Sequence, residues 1–152
     1  MEGILIDEAS LEQISGGFTH IYASYNAQGD FHVVVTEKGV KMEDYYVKGT
    51  TRAQKSPRTG EPGYTPVPLP CGTHKLSTVL YNGKIVTGYH IDVTVPTVVN
   101  GKIVDMNDYF IHATTSSYTF GCAGVRSDWD RFEDTMATER EGAVITIHNR
   151  KD

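Results

Sequence analysis

Apolar and polar residues alternate along much of this chain, the two-residue period of strands with one face against a core. Residues 19–25, "THIYASY", alternate in this way. Residues 30–49, "DFHVVVTEKGVKMEDYYVKG", predict a strand, a turn at Lys38-Gly39 and a second strand. "NAQGD" at 26–30 predicts the turn between the first two strands. "THKLSTVLY" at 73–81 and "KIVTGYHIDVTV" at 84–95 flank Asn82-Gly83, the strongest short hairpin signal. A second Asn-Gly, Asn100-Gly101, follows Pro96. "DYFIHATT" at 108–115 predicts another strand, and "AVITIH" at 143–148 the last one.

Two stretches depart from the alternation. Residues 127–140, "SDWDRFEDTMATER", predict a helix, with Ser127 as N-cap and Asp128 and Asp130 suited to its first turn. Trp129, Phe132 and Met136 give it an apolar face. Residues 1–17 carry Ile6, Leu11 and Ile14 at rough helical spacing before Gly16-Gly17, a helix stop. Between the strands lies a loop rich in Pro, Gly, Ser and Thr at 50–72, and long loops in compact domains are often functional. The expectation is a mainly β domain over residues 18–152, largely antiparallel, a sandwich or barrel with one short helix near the C-terminus.

Composition narrows the function classes. The 152 residues suit one domain, able to bury a core without staples. The formal net charge of -5 and the lack of a basic run argue against nucleic-acid binding. No stretch has the length and apolarity of a membrane span. The N-terminus lacks the basic start and long apolar run of a secretory signal peptide. Cys71 and Cys122 show neither CxxC nor Cys/His metal spacing, so structural zinc is not expected.

The candidate chemistry lies in residues 109–126, "YFIHATTSSYTFGCAGVR". His112 closes an apolar strand, and Gly121-Cys122 follows a run of Thr and Ser. A cysteine nucleophile needs a base or cation nearby, because the thiolate is the reactive form. Gly121 permits unusual backbone angles, and the N–H groups around Gly121 and Cys122 are candidates for an oxyanion hole. Thr119, Ser116 and Ser117 are candidates to hydrogen-bond the site. Arg126 is read either as a ligand for a substrate carboxylate or as a surface cap of the following helix. His90, near Asp92, is read as lining the cleft or as an ordinary packed or surface histidine. Cys122 itself has a bland alternative, that of a small inert core residue.

These residues resemble the catalytic domain of L,D-transpeptidases. In that family a strand-ending "IHG" precedes "S/T-x-G-C", an apolar residue and Arg. Here Ile111-His112, Thr119-Phe120-Gly121-Cys122 and Val125-Arg126 follow that order. "PLPCGTHKL" at 68–76 is similar to the family's "TPTGxY" element, with Gly72 at the matching glycine, and "GAVITI" at 142–147 to its closing "G-x-x-V-x-I". The likeness covers residues 18–148. The chain departs from the pattern at Ala113, at Phe120 and at the inserted Ala123-Gly124, and its loop between His and Cys is short. Cys71 stands where the family has a small hydroxyl residue, and is read as a structural substitution or as a redox partner of Cys122.

The resemblance implies Cys122 as nucleophile, His112 as base, and Gly121, Thr119, Ser117, Arg126, Gly72 and His90 around the substrate. It implies a peptidoglycan tetrapeptide stem as donor, with cross-linking, D-amino-acid exchange or carboxypeptidase action as outcomes, and neither a metal nor an organic cofactor. Compact, toxin-like members have such shortened loops, and for them an immunity protein is an expected partner. Residues 1–17 resemble the double-glycine leader of peptides exported by peptidase-containing transporters, with Ser10 where an acidic residue is usual. A secreted or envelope-delivered protein is the corresponding expectation. Other readings of the same residues are a different cysteine peptidase or amidase, and a non-catalytic peptidoglycan-binding domain.

Overall fold

The computed structural model describes residues 18–25, 28–54, 63–119, 121–139 and 143–148. The N-terminal helix or leader at 1–17, residues 55–62 of the Pro/Gly-rich loop, Phe120 and Gly142 lie outside the described residues, as does Asn26-Ala27 of the first turn.

The protein is mainly β, as the alternation predicts. The strands are β1 (Phe18–Ser24), β2 (Gln28–Glu37), β3 (Val40–Thr50), β4 (Gly72–Asn82), β5 (Ile85–Ile91), β6 (Val95–Val99), β7 (Lys102–Met106), β8 (Phe110–Ala113), β9 (Ala123–Val125) and β10 (Val144–His148). One helix, α1 (Trp129–Glu139), lies between β9 and β10. Eight strands close a barrel in the order β1-β10-β4-β5-β8-β9-β3-β2, and β6-β7 forms a separate two-stranded sheet. Most neighbours are antiparallel, but β1 runs parallel to β10 and β8 parallel to β9.

Alternation selects the inward face. Ile21 and Ala23, Phe31 and Val33, Ile145 and Ile147, Tyr89 and Ile91, Ile111, and Ala123 and Val125 all point into one buried core. Phe132 and Met136 of α1 join that core, and Trp129 packs against it. The ring of Tyr89 meets those of Trp129 and Phe132. A second tie is polar: Tyr45 Oη and Thr135 Oγ1 hydrogen-bond at 2.6 Å, with the Arg131 guanidinium 3.8 Å from the Tyr45 ring centre.

Turn chemistry follows the sequence. Lys38-Gly39 and Asn100-Gly101 both take positive φ at both positions, as two-residue hairpins with the strand twist require. Two expectations need correction. Residues 84–95 are not one strand: β5 ends at Ile91, where Asp92 N–H donates to the Lys75 carbonyl and the chain leaves the barrel for the β6-β7 hairpin. Nor does Ser127 cap the helix. Its hydroxyl accepts the Lys48 N–H, and the first helical bond runs from Phe132 N–H to the Asp128 carbonyl, so Asp128 holds the cap position.

Candidate active site

His112 and Cys122 are placed by a parallel strand pair. In the β8-β9 register Ile111 faces Ala123 and His112 faces Gly124. Ile111 and Ala123 are fully buried inside the barrel. Side chains alternate along a strand, so His112 points outward, and Cys122, two positions before Gly124, shares that outer face. The Phe110 N–H reaches the Cys122 sulfur at 3.4 Å, which fixes the sulfur beside β8. An amide dipole aimed at sulfur favours negative charge on it. From the strand spacing and a two-residue offset, the two Cα atoms lie roughly 8 Å apart on one face, within reach of a Cys and a His side chain turned toward each other.

The neighbours of His112 are glycines on both sides. Gly88 pairs with it across β5 and Gly124 across β9. A Cβ on Gly88 would come within 3.2 Å of His112 Cβ. The bare backbone leaves the imidazole room on the surface. Its Nδ1 lies 2.9 Å from the Ala113 carbonyl. A carbonyl only accepts, so Nδ1 carries the proton and Nε2 is left as the basic nitrogen.

The cysteine loop is held from below. The Thr119 hydroxyl donates to the Cys122 carbonyl at 2.6 Å and accepts the Gly121 N–H at 3.1 Å. Thr119 is itself pinned to the segment after β3, accepting from Gln54 N–H and donating to the Arg52 carbonyl through its backbone. Gly121 sits at φ +111°, where an added Cβ would lie 2.7 Å from the Val67 carbonyl oxygen and 3.0 Å from the Tyr109 ring. Only glycine fits there. The Tyr109 hydroxyl donates to that same Val67 carbonyl at 2.8 Å. Burial pushes the Tyr109 phenol well above its ordinary value, with Tyr64, Cys122 and Asp108 adding in the same direction.

A cleft of about 340 Å³ opens over this pair. His112, Cys122, Thr119, Thr114, Ser116 and Tyr118 line it, with Asp108–Phe110 and, from the 50–72 loop, Gln54 and Tyr64. The loop's contribution accords with its length and composition. Tyr64, Tyr109, Tyr118 and Thr114 are site residues the sequence did not single out. Their only local signal is proximity to His112 and the long loop.

The other candidate residues lie partly outside this cleft. The Gly121 N–H donates to the Thr119 hydroxyl. Ser117 does not line the cleft. Its carbonyl accepts from the Thr50 hydroxyl, and Ser116 faces the space instead. Gly72 begins β4 opposite Ile147 and lies outside the lining. His90 also lies outside it, with Nε2 donating to the Asn107 carbonyl at 2.7 Å and Nδ1 3.0 Å from Asp92, whose carboxylate accepts from Ser77. Arg126 lines a neighbouring cleft rather than this one. Cys71 is exposed, and no disulfide joins it to Cys122. Among the described residues no group of three or more His, Cys, Asp or Glu is placed to hold a metal ion, and no helix is long and apolar enough to cross a membrane. Comparison with known proteins found no protein-family model, no curated protein and no solved structure that matches the chain.

Proposed function

We propose that the protein is a cysteine acyltransferase of the L,D-transpeptidase type, acting on the stem peptides of bacterial peptidoglycan. The observation that carries the reading is the Cys122-His112 pair, His112 on β8 and Cys122 immediately before the parallel β9, both lining one cleft, with the His tautomer set by a backbone carbonyl. The ordered sequence landmarks from "PLPCG" to "GAVITI" supply the substrate class.

In this mechanism His112 Nε2 takes the thiol proton. The Cys122 sulfur attacks the carbonyl of the third stem residue, forming the C–S bond as the carbonyl electrons move to oxygen. Collapse of that intermediate breaks the C–N bond, and His112 returns the proton to the departing D-alanine amine. The thioester is then resolved by an amine or by water, which re-forms the thiol. Residues 1–17 fit an export leader, and delivery to the cell envelope fits such a substrate.

The test is incubation with purified peptidoglycan followed by muropeptide mass analysis. Loss of D-alanine or gain of a D-amino acid is the expected result, absent in Cys122→Ala. Cleavage elsewhere in the stem points to another cysteine peptidase or amidase. No product, with sacculus binding retained, points to a binding domain.

A further inference from the structure

The sulfur of Cys122 lies between two backbone groups of one short segment. The Phe110 N–H reaches it at 3.4 Å, and the Asp108 carbonyl oxygen lies 4.0 Å away. These groups act on the thiol in opposite senses. An N–H only donates and favours the thiolate, while a carbonyl only accepts and favours the S–H form. The N–H contact is the closer of the two, so the thiolate gains more from the arrangement. Tyr109 stands between Asp108 and Phe110 in the chain, and its placement sets both distances.

Tyr109 is only 3% exposed, although it precedes β8 and lines the cleft. Three elements hold it. Its backbone carbonyl accepts the Ile91 N–H of β5 at 2.8 Å. Its hydroxyl donates to the Val67 carbonyl at 2.8 Å, and the Thr97 side chain of β6 hydrogen-bonds the same phenol. Burial keeps that phenol in its protonated, donating form. The Cys122 turn rests on this bond. A Cβ on Gly121 would lie 2.7 Å from the Val67 oxygen and 3.0 Å from the Tyr109 ring, so the Gly121 backbone sits against both acceptor and ring. Thr119 closes the turn from its other side. The ring is thus a floor for the turn, and the hydroxyl fixes where that floor lies.

Resting on the acyltransferase reading for the nucleophile, we infer that Tyr109 is the positioning residue of the Cys122 thiol, its ring and hydroxyl holding the sulfur against the Phe110 N–H. The phenol makes and breaks no bond; it acts through the turn above it. Without the hydroxyl the Val67 carbonyl loses its donor and the floor loosens. The sulfur then moves off an amide contact that weakens steeply with distance and angle. The thiolate loses the group that favours it, and the thiol titrates at higher pH.

The probe is iodoacetamide, used on the full chain carrying Cys71→Ser so that alkylation reports Cys122 alone. Its rate is followed against pH. Tyr109→Phe should raise the midpoint of that curve by about half a unit, about a threefold loss of thiolate at a fixed pH below it. Thr97→Val, which loosens the phenol from the β6 side, should move the midpoint the same way by less. Tyr45→Phe removes another buried tyrosine hydroxyl, outside the cleft lining, and should leave the midpoint in place at a comparable loss of stability in urea. The other ionisable groups of the cleft, His112, Asp108, Tyr64 and Tyr118, are the same in every variant. A midpoint equal to the parent's in both Tyr109→Phe and Thr97→Val overturns the inference and leaves the acyltransferase reading standing. An equal shift in Tyr45→Phe assigns the change to general loosening of the core and overturns it too. A shift confined to the Tyr109 and Thr97 variants supports the placement of the thiol. The same shift, with a parent that releases no D-alanine from peptidoglycan, keeps that placement and removes the acyltransferase reading.

Discussion

The Thr119 hydroxyl donates to the Cys122 carbonyl at 2.6 Å. The same oxygen accepts the Gly121 N–H, so one side chain closes the turn that carries the sulfur. Thr119→Val should leave both backbone groups short of a partner and cost about 1–3 kcal/mol. Urea denaturation measures that loss. Thr119→Ser keeps the hydroxyl and should recover most of it, together with the alkylation rate of Cys122.

Gly121→Ala addresses the same turn from the other side. The new Cβ meets the Val67 carbonyl at 2.7 Å, and φ +111° suits no side chain. A strained position of this kind costs about 1–3 kcal/mol. For a chain of this size each kcal/mol lowers the thermal midpoint by about 2–4 °C. Calorimetric melting should show the drop, and a midpoint within a degree of the parent would contradict the steric argument.

On the proposed acyltransferase reading, His112→Gln should preserve the fold and slow turnover of peptidoglycan stems roughly 10²–10⁴-fold, the usual weight of a positioned general base. The side chain is half-buried between two glycines, so its loss leaves no core cavity. A rate of D-alanine release equal to the parent would remove His112 from the mechanism.

Alkaline pH should unfold the protein. Burial raises both Tyr45 and Tyr109, the former with a smaller opposing effect from its Thr135 hydrogen bond. Each phenol therefore keeps its proton in the fold to higher pH than in the unfolded chain. The unfolded chain loses protons first, so stability is full below about pH 10 and falls as pH rises beyond it. Urea midpoints measured from pH 8 to 11 should decline at the top of that range. Tyr45→Phe combined with Tyr109→Phe should flatten the decline.

The barrel strands were legible because each buries one face, which imprints a period of two on sequence. Turns at Lys38-Gly39 and Asn100-Gly101 were legible because positive φ restricts the residues able to occupy them. β9 was not, since three residues, Ala123–Val125, are too few to show a period. Its parallel pairing with β8 is a long-range choice with no local signature. Cys122 and His112 stood out by residue type and order. The two glycines beside His112 did not, because their meaning depends on register: Gly88 lies 24 positions before the histidine, on another strand. Arg126 was matched, with Val125, to the apolar-Arg pair that follows Gly-Cys in the family it resembles. The intervening Ala123-Gly124 carries it one strand repeat further, into the adjoining cleft.

The parallel pairing of β1 with β10 has a kinetic consequence. His20 lies beside Val144, and β10 in turn separates β1 from β4, so the first and last described strands share one seam. Contacts between such distant positions form late, because the entropy of closing a long loop must be met before they contribute. Until β10 is inserted, the cylinder is open and its apolar lining wetted. A ribosome-bound chain lacking that strand therefore carries an open barrel with its core unsealed. Closure of the core would thus wait for β10, after synthesis of β1 to β9.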